Sequence, residues 1–525
     1  MASAFFDEAA DAIGADNVSR DRLTGSLPGP MGEVLYGDVW DLFPQKPIGA
    51  VRPSSVEELQ QVIRLANKHL VPLWTVSRGK NLGYGGTTPV AEGNVVLDLH
   101  RMNKIVEINE EFGYAIVEPG VSFFDLYEEI KRRKLKLWMS VPAIGWGSVV
   151  GNASERGFGF TPLGVHADAQ TGLEVVLPSG ELLRPGMGAV SDQMFALYKD
   201  GFGPGLENMF KQSNLGVITK LGMHMYPAPE AYSRCVLSVP RDADFVRMVD
   251  TMANLRRRGV VGNVPHVWDI QRQVAINRDM DVLQLMRPHW GADKAYPLSL
   301  YEEIIQKTGW HWWYCQFALY GSPEIVKAQL ETVKRVISQD LPGAKLQVWD
   351  HVASPGEVLD ATVETDAIPS PTGVPSILGI QMLDMIRGEG TGHTDFAPVL
   401  PPSGKLIYEW FTKVRAMCIE AGFNCEADFH IHARYSIPMA LICFVRSERE
   451  RVSQLYPKIV DATTALGYIS YRVHVGAMDQ ILGAHTFNDG ALGKFLTSLK
   501  DHMDPNGILS PGKSGIWNSA AKAGR

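Results

Sequence analysis

At 525 residues the chain is too long for one hydrophobic core and predicts two or three packed units. A net charge of −8 with no basic stripe argues against a nucleic-acid partner, and no apolar run approaches the roughly 20 residues that cross a bilayer. Five cysteines, odd in number and without a Cys-x-x-Cys pair, fit reduced thiols inside a cell.

The first residues, MASAFFDEAADAIG, lack the basic stretch and apolar core of a signal peptide. The terminal Ala-Gly-Arg is a poor peroxisomal address, so a cytoplasmic location is expected. Residues 5–13 read as a helix and an irregular arm runs on to residue 50. Ser55 and Glu58 then form a Ser-x-x-Glu capping box, with Leu59, Val62, Ile63 and Ala66 at helical spacing behind it.

That helix delivers an apolar strand, 71–76, which stops at Ser77 and enters SRGKNLGYGG. Gly79, Gly83, Gly85 and Gly86 let backbone N–H groups turn inward and approach a ligand, as in a pyrophosphate cradle. Gly-rich turns after strands are also common scaffold. Tyr84, an aromatic flanked by glycines, is what marks this loop as a site. Strand-like runs follow at 94–99, 105–108 and 114–117, and a second capping box from Ser122 to Asp125 opens a helix through Arg133. A Rossmann unit would place its glycines at the opening of a helix. Here Pro89 and another strand come next, so the nucleotide-binding architecture is a different one.

A second Gly-rich segment, 141–164, offers close backbone approach, with Ser148, Asn152 and Thr161 as side-chain hydrogen-bond partners. The hairpin 173–183 reads as scaffold, and QSNLGVITK, 212–220, is a polar turn entering a β-branched strand. Separate cradles in one half of the chain suit an elongated dinucleotide such as FAD. From about 230 to 467, strand-like runs (234–239, 312–319, 346–349, 427–431, 440–444) alternate with helical ones (243–255, 323–337, 405–421, 448–466). Together they predict an α+β cap, an antiparallel sheet with helices on one side. Its segment 368–375 reads as a loop over the site, and Trp310 to Tyr314 as cap core.

SRGKNLGYGG, VEPGVSFFDLYE, GWGSVVGN with ERGFGFTP, TGLEVVLPSGE, FGPGLENMFKQSNLGVITK, YRVHVGAMDQ and DPNGILSPGKSGIW resemble the vanillyl-alcohol oxidase/p-cresol methylhydroxylase family across most of 50–230 and 465–517. The resemblance implies an α+β protein whose two-lobed FAD-binding domain comes from 1–229 and 468–525, with the cap, 230–467, inserted. The FAD contacts it implies in the first loop are Ser77, Arg78, Gly79, Lys80, Asn81, Leu82, Gly83 and Gly85. In the second segment they are Pro142, Gly147, Ser148, Val149, Gly151, Asn152, Gly157 and Gly159. Val217, Ile218, Arg472 and Lys513 complete the set, Lys513 near the flavin pyrimidine.

His393 occupies the position that, in similar members, bonds covalently to the flavin, so a single histidyl-FAD linkage is expected. Relatives carry an assisting histidine in the N-terminal arm; residues 32–42 here have none. Tyr84, Tyr471 and Arg472 match the residues that bind a phenol oxygen. The implied activity is oxidation of para-substituted phenols by FAD, with O2 as acceptor and H2O2 as product, in a homodimer acting on a small-molecule substrate.

The chain also departs from the family. Where alcohol-active relatives carry an aspartate after Val-Pro this chain has Ala143, and Phe160 and Leu163 replace tyrosines. Asp395 stands two residues beyond His393, on the same side if the segment is a strand, and is the candidate replacement base. His430 and His432 alternate nearby. His-x-His with one aspartate is thin as a metal site and fits a polar pocket better, so no metal is expected. The alternatives are a flavoprotein oxidase or dehydrogenase of a more polar, non-phenolic hydroxyl compound, and a catalytically silent flavoprotein.

Overall fold

In the computed structural model, which describes residues 2–22, 36–290, 294–365, 367 and 369–523, three sheets and their helices surround one cleft. Expectations for residues 32–35, Ile368 and the last two residues lie outside the described residues. The N-terminal helix runs Ala2–Ile13 and packs Phe5, Phe6 and Ala9 against Leu59, Val62 and Ile63 of the helix Val56–His69. Ser55 caps that helix through the Glu58 N–H at 3.2 Å. The Glu58 carboxylate turns to the Ser54 N–H rather than closing the box on Ser55.

The first lobe contains a four-stranded sheet in which Gly49–Val51 and Leu73–Val76 flank Val95–Asp98 in parallel. The second lobe is a five-stranded antiparallel sheet built on Tyr114–Val117, Val217–His224 and Gln170–Val176. The helix Phe123–Arg132 carries the reciprocal Ser122–Asp125 box the sequence predicts. The chain's end returns to the first lobe: Leu509 bridges Leu73, and the Ser510 hydroxyl accepts from the Thr75 N–H at 3.0 Å.

The cap is a seven-stranded antiparallel sheet in the order Lys345–Val352, Ala231–Val239, Trp313–Gly321, His266–Asp269, Cys425–Ile431, Ser436–Phe444, Gly392–Phe396. Alternation decides its two faces. Leu237, Phe317, Phe429, Ile442 and Phe396 point into a core formed with helices Phe245–Arg257, Pro323–Asp340, Gly404–Glu420 and Arg449–Thr464. Trp313 packs in that core, as expected for the tryptophan-rich segment. The residues between them, including His266, Asp428, His430, His393 and Asp395, line the cleft instead. All five cysteines are free and buried, and among the described residues no helix is long and apolar enough to cross a membrane.

Candidate active site

The first loop is held by its own backbone. Gly79 and Gly85 adopt φ of +65° and +105°, which glycine alone takes without strain. The short turn Leu82–Tyr84 is closed by the Tyr84 N–H on the Asn81 carbonyl, and the Thr394 hydroxyl donates to the Gly83 carbonyl at 3.1 Å. Strand Gly392–Phe396 is thereby docked on the loop. A Cβ on Gly83 would sit 2.8 Å from both His393 Nε2 and Asp395 Oδ2, so that glycine is fixed by close packing against the cap.

Ser77 through Gly83 and Tyr84 all line the cleft, and Gly85 does not. From the second segment Pro142, Gly147, Ser148, Gly151, Asn152 and Gly157 line it, as do Val217, Ile218, His393, Arg472 and Lys513. Val149 and Gly159 lie behind: Val149 is buried in the second lobe's core, and a Cβ on Gly159 would meet Ser140 Oγ at 2.3 Å. Gly147 has open space where its Cβ would be, so this backbone is bare to the cleft.

Of the side chains expected as ligand partners in this segment, Ser148 and Asn152 are engaged within the protein. The Ser148 hydroxyl donates to the Pro119 carbonyl at 2.6 Å and accepts from the Gly151 N–H. Asn152 Oδ1 lies 2.6 Å from His166 Nδ1, and Thr161 is not in the wall. Two bare-backbone cradles and the 212–218 turn facing one elongated cleft nevertheless fit FAD. Lys513, expected as a cation near the flavin pyrimidine, is ion-paired with Glu155 at 2.6 Å. Burial would push the Glu155 carboxyl up, but Lys513 and Arg472 hold it below its usual range.

Tyr84, Tyr471 and Arg472 come together as the sequence implies. The Arg472 guanidinium lies 4.3 Å from the Tyr84 ring centroid and bonds the Asn81 side-chain carbonyl, next to Tyr471. Burial raises Tyr84 well above its usual pKa and pushes Tyr471 up to about 12, against the pull of Arg472, so both remain O–H donors. The Tyr84 hydroxyl and Arg472 Nε have no protein partner.

Asp395 shares the cleft with His393, its Oδ2 3.7 Å from His393 Nε2. Burial, reinforced by the Asp428 charge, pushes the Asp395 carboxyl up to about 7 despite Arg472 and Arg272. Burial lowers His393 to about 4, which keeps its ring neutral. Ala143 packs with Phe158, Phe160 and Tyr471, so the position of the family's aspartate is apolar. Leu163 sits in the second lobe's core, away from the cleft. Of the expected loop 368–375, Pro369 reaches the cleft wall.

The wall also holds residues the sequence reading did not assign: His266, Arg272, Asp428 and Glu155. Asp428, two residues before His430 on one strand, was signalled by the same alternation. His266 and Arg272 come from a short strand and the helix after it, and only the fold brings them in. His432, by contrast, follows the strand's end and stacks on Tyr435 with ring centroids 4.4 Å apart.

His266, Asp428 and His430 place ligand atoms within 4.8 Å of one another. Two observations favour a hydrogen-bonded ion pair over a metal centre. Arg272 Nη2 lies 2.9 Å from the same carboxylate, and neither imidazole has a partner on Nδ1, which a metal-bound histidine normally uses to donate.

Comparison with known proteins agrees with this geometry. Residues 47–186 match the FAD binding domain model and residues 396–514 the model for the C-terminal domain of FAD linked oxidases. The chain is 31% identical over 481 residues to the 4-cresol dehydrogenase [hydroxylating] flavoprotein subunit of Pseudomonas putida, covering 90% of this chain and 88% of that one. It is 27% identical over 501 residues to the 1'-carboxy-chondrochloren decarboxylase of Chondromyces crocatus, covering 88% and 89%. The 4-ethylphenol oxidase of Gulosibacter chungangensis, solved with isoeugenol, superposes with a TM-score of 0.89 at 28% identity, covering 99% of this chain and 98% of that one. The chain therefore belongs to the p-cresol methylhydroxylase/vanillyl-alcohol oxidase family of FAD-dependent oxidoreductases.

Proposed function

We propose that the protein is an FAD-dependent oxidase of para-substituted phenols that binds its substrate as the phenolate. The observation that carries this reading is the buried cluster of Tyr84, Tyr471 and Arg472. A phenol oxygen placed among two protonated hydroxyls and a permanent cation is stabilised as phenolate. Bound FAD would supply a two-electron acceptor for the hydride of the para benzylic carbon, with O2 as the final acceptor and H2O2 as its product. The chain's own residues orient the ring, hold its negative charge and manage protons. The quinone methide left on the substrate adds water or loses a proton. Asp395, with its carboxyl near neutrality, serves that step where Ala143 cannot.

The first loop, the second Gly-rich segment, the 212–218 turn and Lys513 are the residues that would hold FAD. His393, a neutral imidazole in the cleft, would carry it covalently. Pro142 in the wall resembles oxidase members and favours O2 over another electron acceptor. The division into 1–229, 230–467 and 468–525 and the homodimer belong to the same proposal.

The deciding experiment is anaerobic mixing of purified yellow protein with 4-alkyl- and 4-hydroxymethylphenols while following flavin absorbance. Bleaching within seconds is expected, and peroxide should appear when O2 is admitted. No bleaching by any phenol, while dithionite still reduces the flavin, overturns the phenol reading in favour of a non-phenolic hydroxyl substrate. Acid precipitation should leave yellow flavin in the pellet, and His393→Ala should release it. A colourless wild-type pellet sinks the covalent link. The turnover number should rise with pH through about 7 as Asp395 ionises into its base form. Asp395→Asn should lower it at least about tenfold and flatten that limb. A rate that the substitution leaves unchanged retires Asp395.

A further inference from the structure

Met439 is a nucleophile in the cleft wall that phenol binding and proton transfer do not use. It lies on the cap strand Ser436–Phe444, where every other residue is buried and Met439 alone is partly exposed. One other methionine, Met478, shares the wall. That side chain is buried, and its sulfur accepts from the Ser514 N–H at 3.2 Å, so a lone pair is already engaged.

The surroundings of Met439 can also hold an oxidised sulfur. It packs beside Phe158, Ala143 and Tyr471, and across the ladder it is the direct partner of Asp428. Side chains so opposed on antiparallel strands stand about 5 Å apart at Cβ. Arg272 holds the Asp428 carboxylate through Nη2 at 2.9 Å, and the Arg272 Nε is buried without a partner. A thioether is a weak acceptor, whereas a sulfoxide oxygen is a strong one and can take that N–H.

We infer that Met439 is a modification site for hydrogen peroxide made in the cleft, and that its sulfoxide form holds apolar para substituents less tightly. The sulfur lone pair attacks one peroxide oxygen, the O–O bond breaks and an S–O bond forms. The other oxygen leaves as water with both protons. The thioether loses two electrons and the peroxide gains them. The polar S–O bond then replaces an apolar surface beside Phe158 and Ala143. This rests on the oxidase reading, which supplies the peroxide. Peroxide formed in the cleft meets this wall before bulk solvent dilutes it.

The test follows flavin-loaded protein turning over 4-ethylphenol in air, with catalase present to destroy peroxide that reaches solution. Trypsin releases residues 435–446 with Met439 as their single methionine, and fragment ions separate oxygen on Met439 from oxygen on Cys443. Met280, 56% exposed and outside the cleft wall, reports bulk oxidant. Sulfoxide at Met439 is expected to exceed that at Met280 at least about fivefold, with Met478 still reduced. Peroxide added to resting protein should instead oxidise Met280 first. After turnover the dissociation constant of 4-tert-butylphenol, which has no benzylic hydrogen, should rise at least about threefold, and methionine sulfoxide reductase should restore it. Met439→Leu should keep its own starting value through the same turnovers.

Equal oxidation of Met439 and Met280 while peroxide is produced overturns the inference and leaves the oxidase reading standing. So does an equal loss of affinity in wild type and Met439→Leu. If 4-ethylphenol does not reduce the flavin, dithionite-reduced protein, freed of reductant and opened to air, becomes the peroxide source. Preferential oxidation of Met439 there upholds the site while the phenol reading fails. Reoxidation by air without peroxide removes the oxidase reading and the inference with it.

Discussion

Arg472→Met is expected to lower kcat/KM for a 4-alkylphenol by about two to three and a half orders of magnitude. That follows from the about 3–5 kcal/mol lost when one partner of a buried charge pair is removed, at about 1.4 kcal/mol per decade. Burial alone raises the pKa of a phenol in this cleft, as it does for Tyr84 and Tyr471, and Arg472 is the group that opposes it. Without the guanidinium the bound substrate stays protonated to higher pH, so residual activity should move to alkaline pH. Arg472→Lys should recover part of the rate but not all. A point charge cannot hold the Asn81 side-chain carbonyl as one arm of a planar fork and still face the substrate with the other. Measured pH profiles of flavin reduction distinguish this from simple misfolding, which would lower the amplitude without moving the profile. A profile that stays in place removes Arg472 from the role assigned to it.

The second large effect is on stability. The Lys500 ammonium has no solvent exposure; it donates to the Asn214 carbonyl at 2.7 Å, the Leu509 carbonyl at 2.8 Å and Asp504 Oδ2 at 2.6 Å. Asp504 in turn accepts from the backbone N–H groups of Ile508 and Leu509. Lys500→Met strips the cation from a buried carboxylate and leaves two buried carbonyls unmatched, a loss of about 3–5 kcal/mol. The anchored segment carries Leu509, Ser510 and Lys513 into the cleft wall. Urea unfolding should therefore shift to lower concentration, and flavin retention after gel filtration should fall with it. Lys494→Met, at an exposed pair with Asp489, should change neither. An unaltered urea midpoint in Lys500→Met would show that the network is dispensable.

The sequence made the cap's outer strands readable because their alternate residues meet different surroundings. Leu237 and Val239 pack on helices, and Arg234 and Val236 face the other way. It did not reveal His266–Asp269, because four residues in the middle of a sheet are buried on both faces and show no polar beat. His266 was invisible for the same reason, and Arg272, on the helix Ile270–Asn277 that follows, is brought to the cleft only by that strand. His266 lies 162 residues from the Asp428 it bonds, and neither stands in a motif.

The glycines were legible as positions but not as causes. The neighbours of Gly151, Gly157 and Gly159 leave no room for a Cβ, which is protein packing, whereas Gly147 is open to the cleft. A sequence records that glycine is needed and not which side needs it. The cluster of Tyr84, Tyr471 and Arg472 was legible through the family's motifs. The ion pair that occupies Lys513 was not, because Glu155 reads as one charge in a glycine-rich run.

The contact between Thr75 and Ser510 spans 435 positions of the chain, and it closes the cleft between the strand Leu73–Val76 of the first lobe and a segment near the C-terminus. During synthesis the glycine-rich loops emerge long before the residues that complete their far wall. The cleft cannot close until the segment around Ser510 has emerged, by which time the whole cap has had the opportunity to fold as a unit in between. Cofactor capture then follows the folding of the cap rather than preceding it. Cells short of flavin should accumulate a chain with a formed cap and a loose, protease-sensitive C-terminal segment.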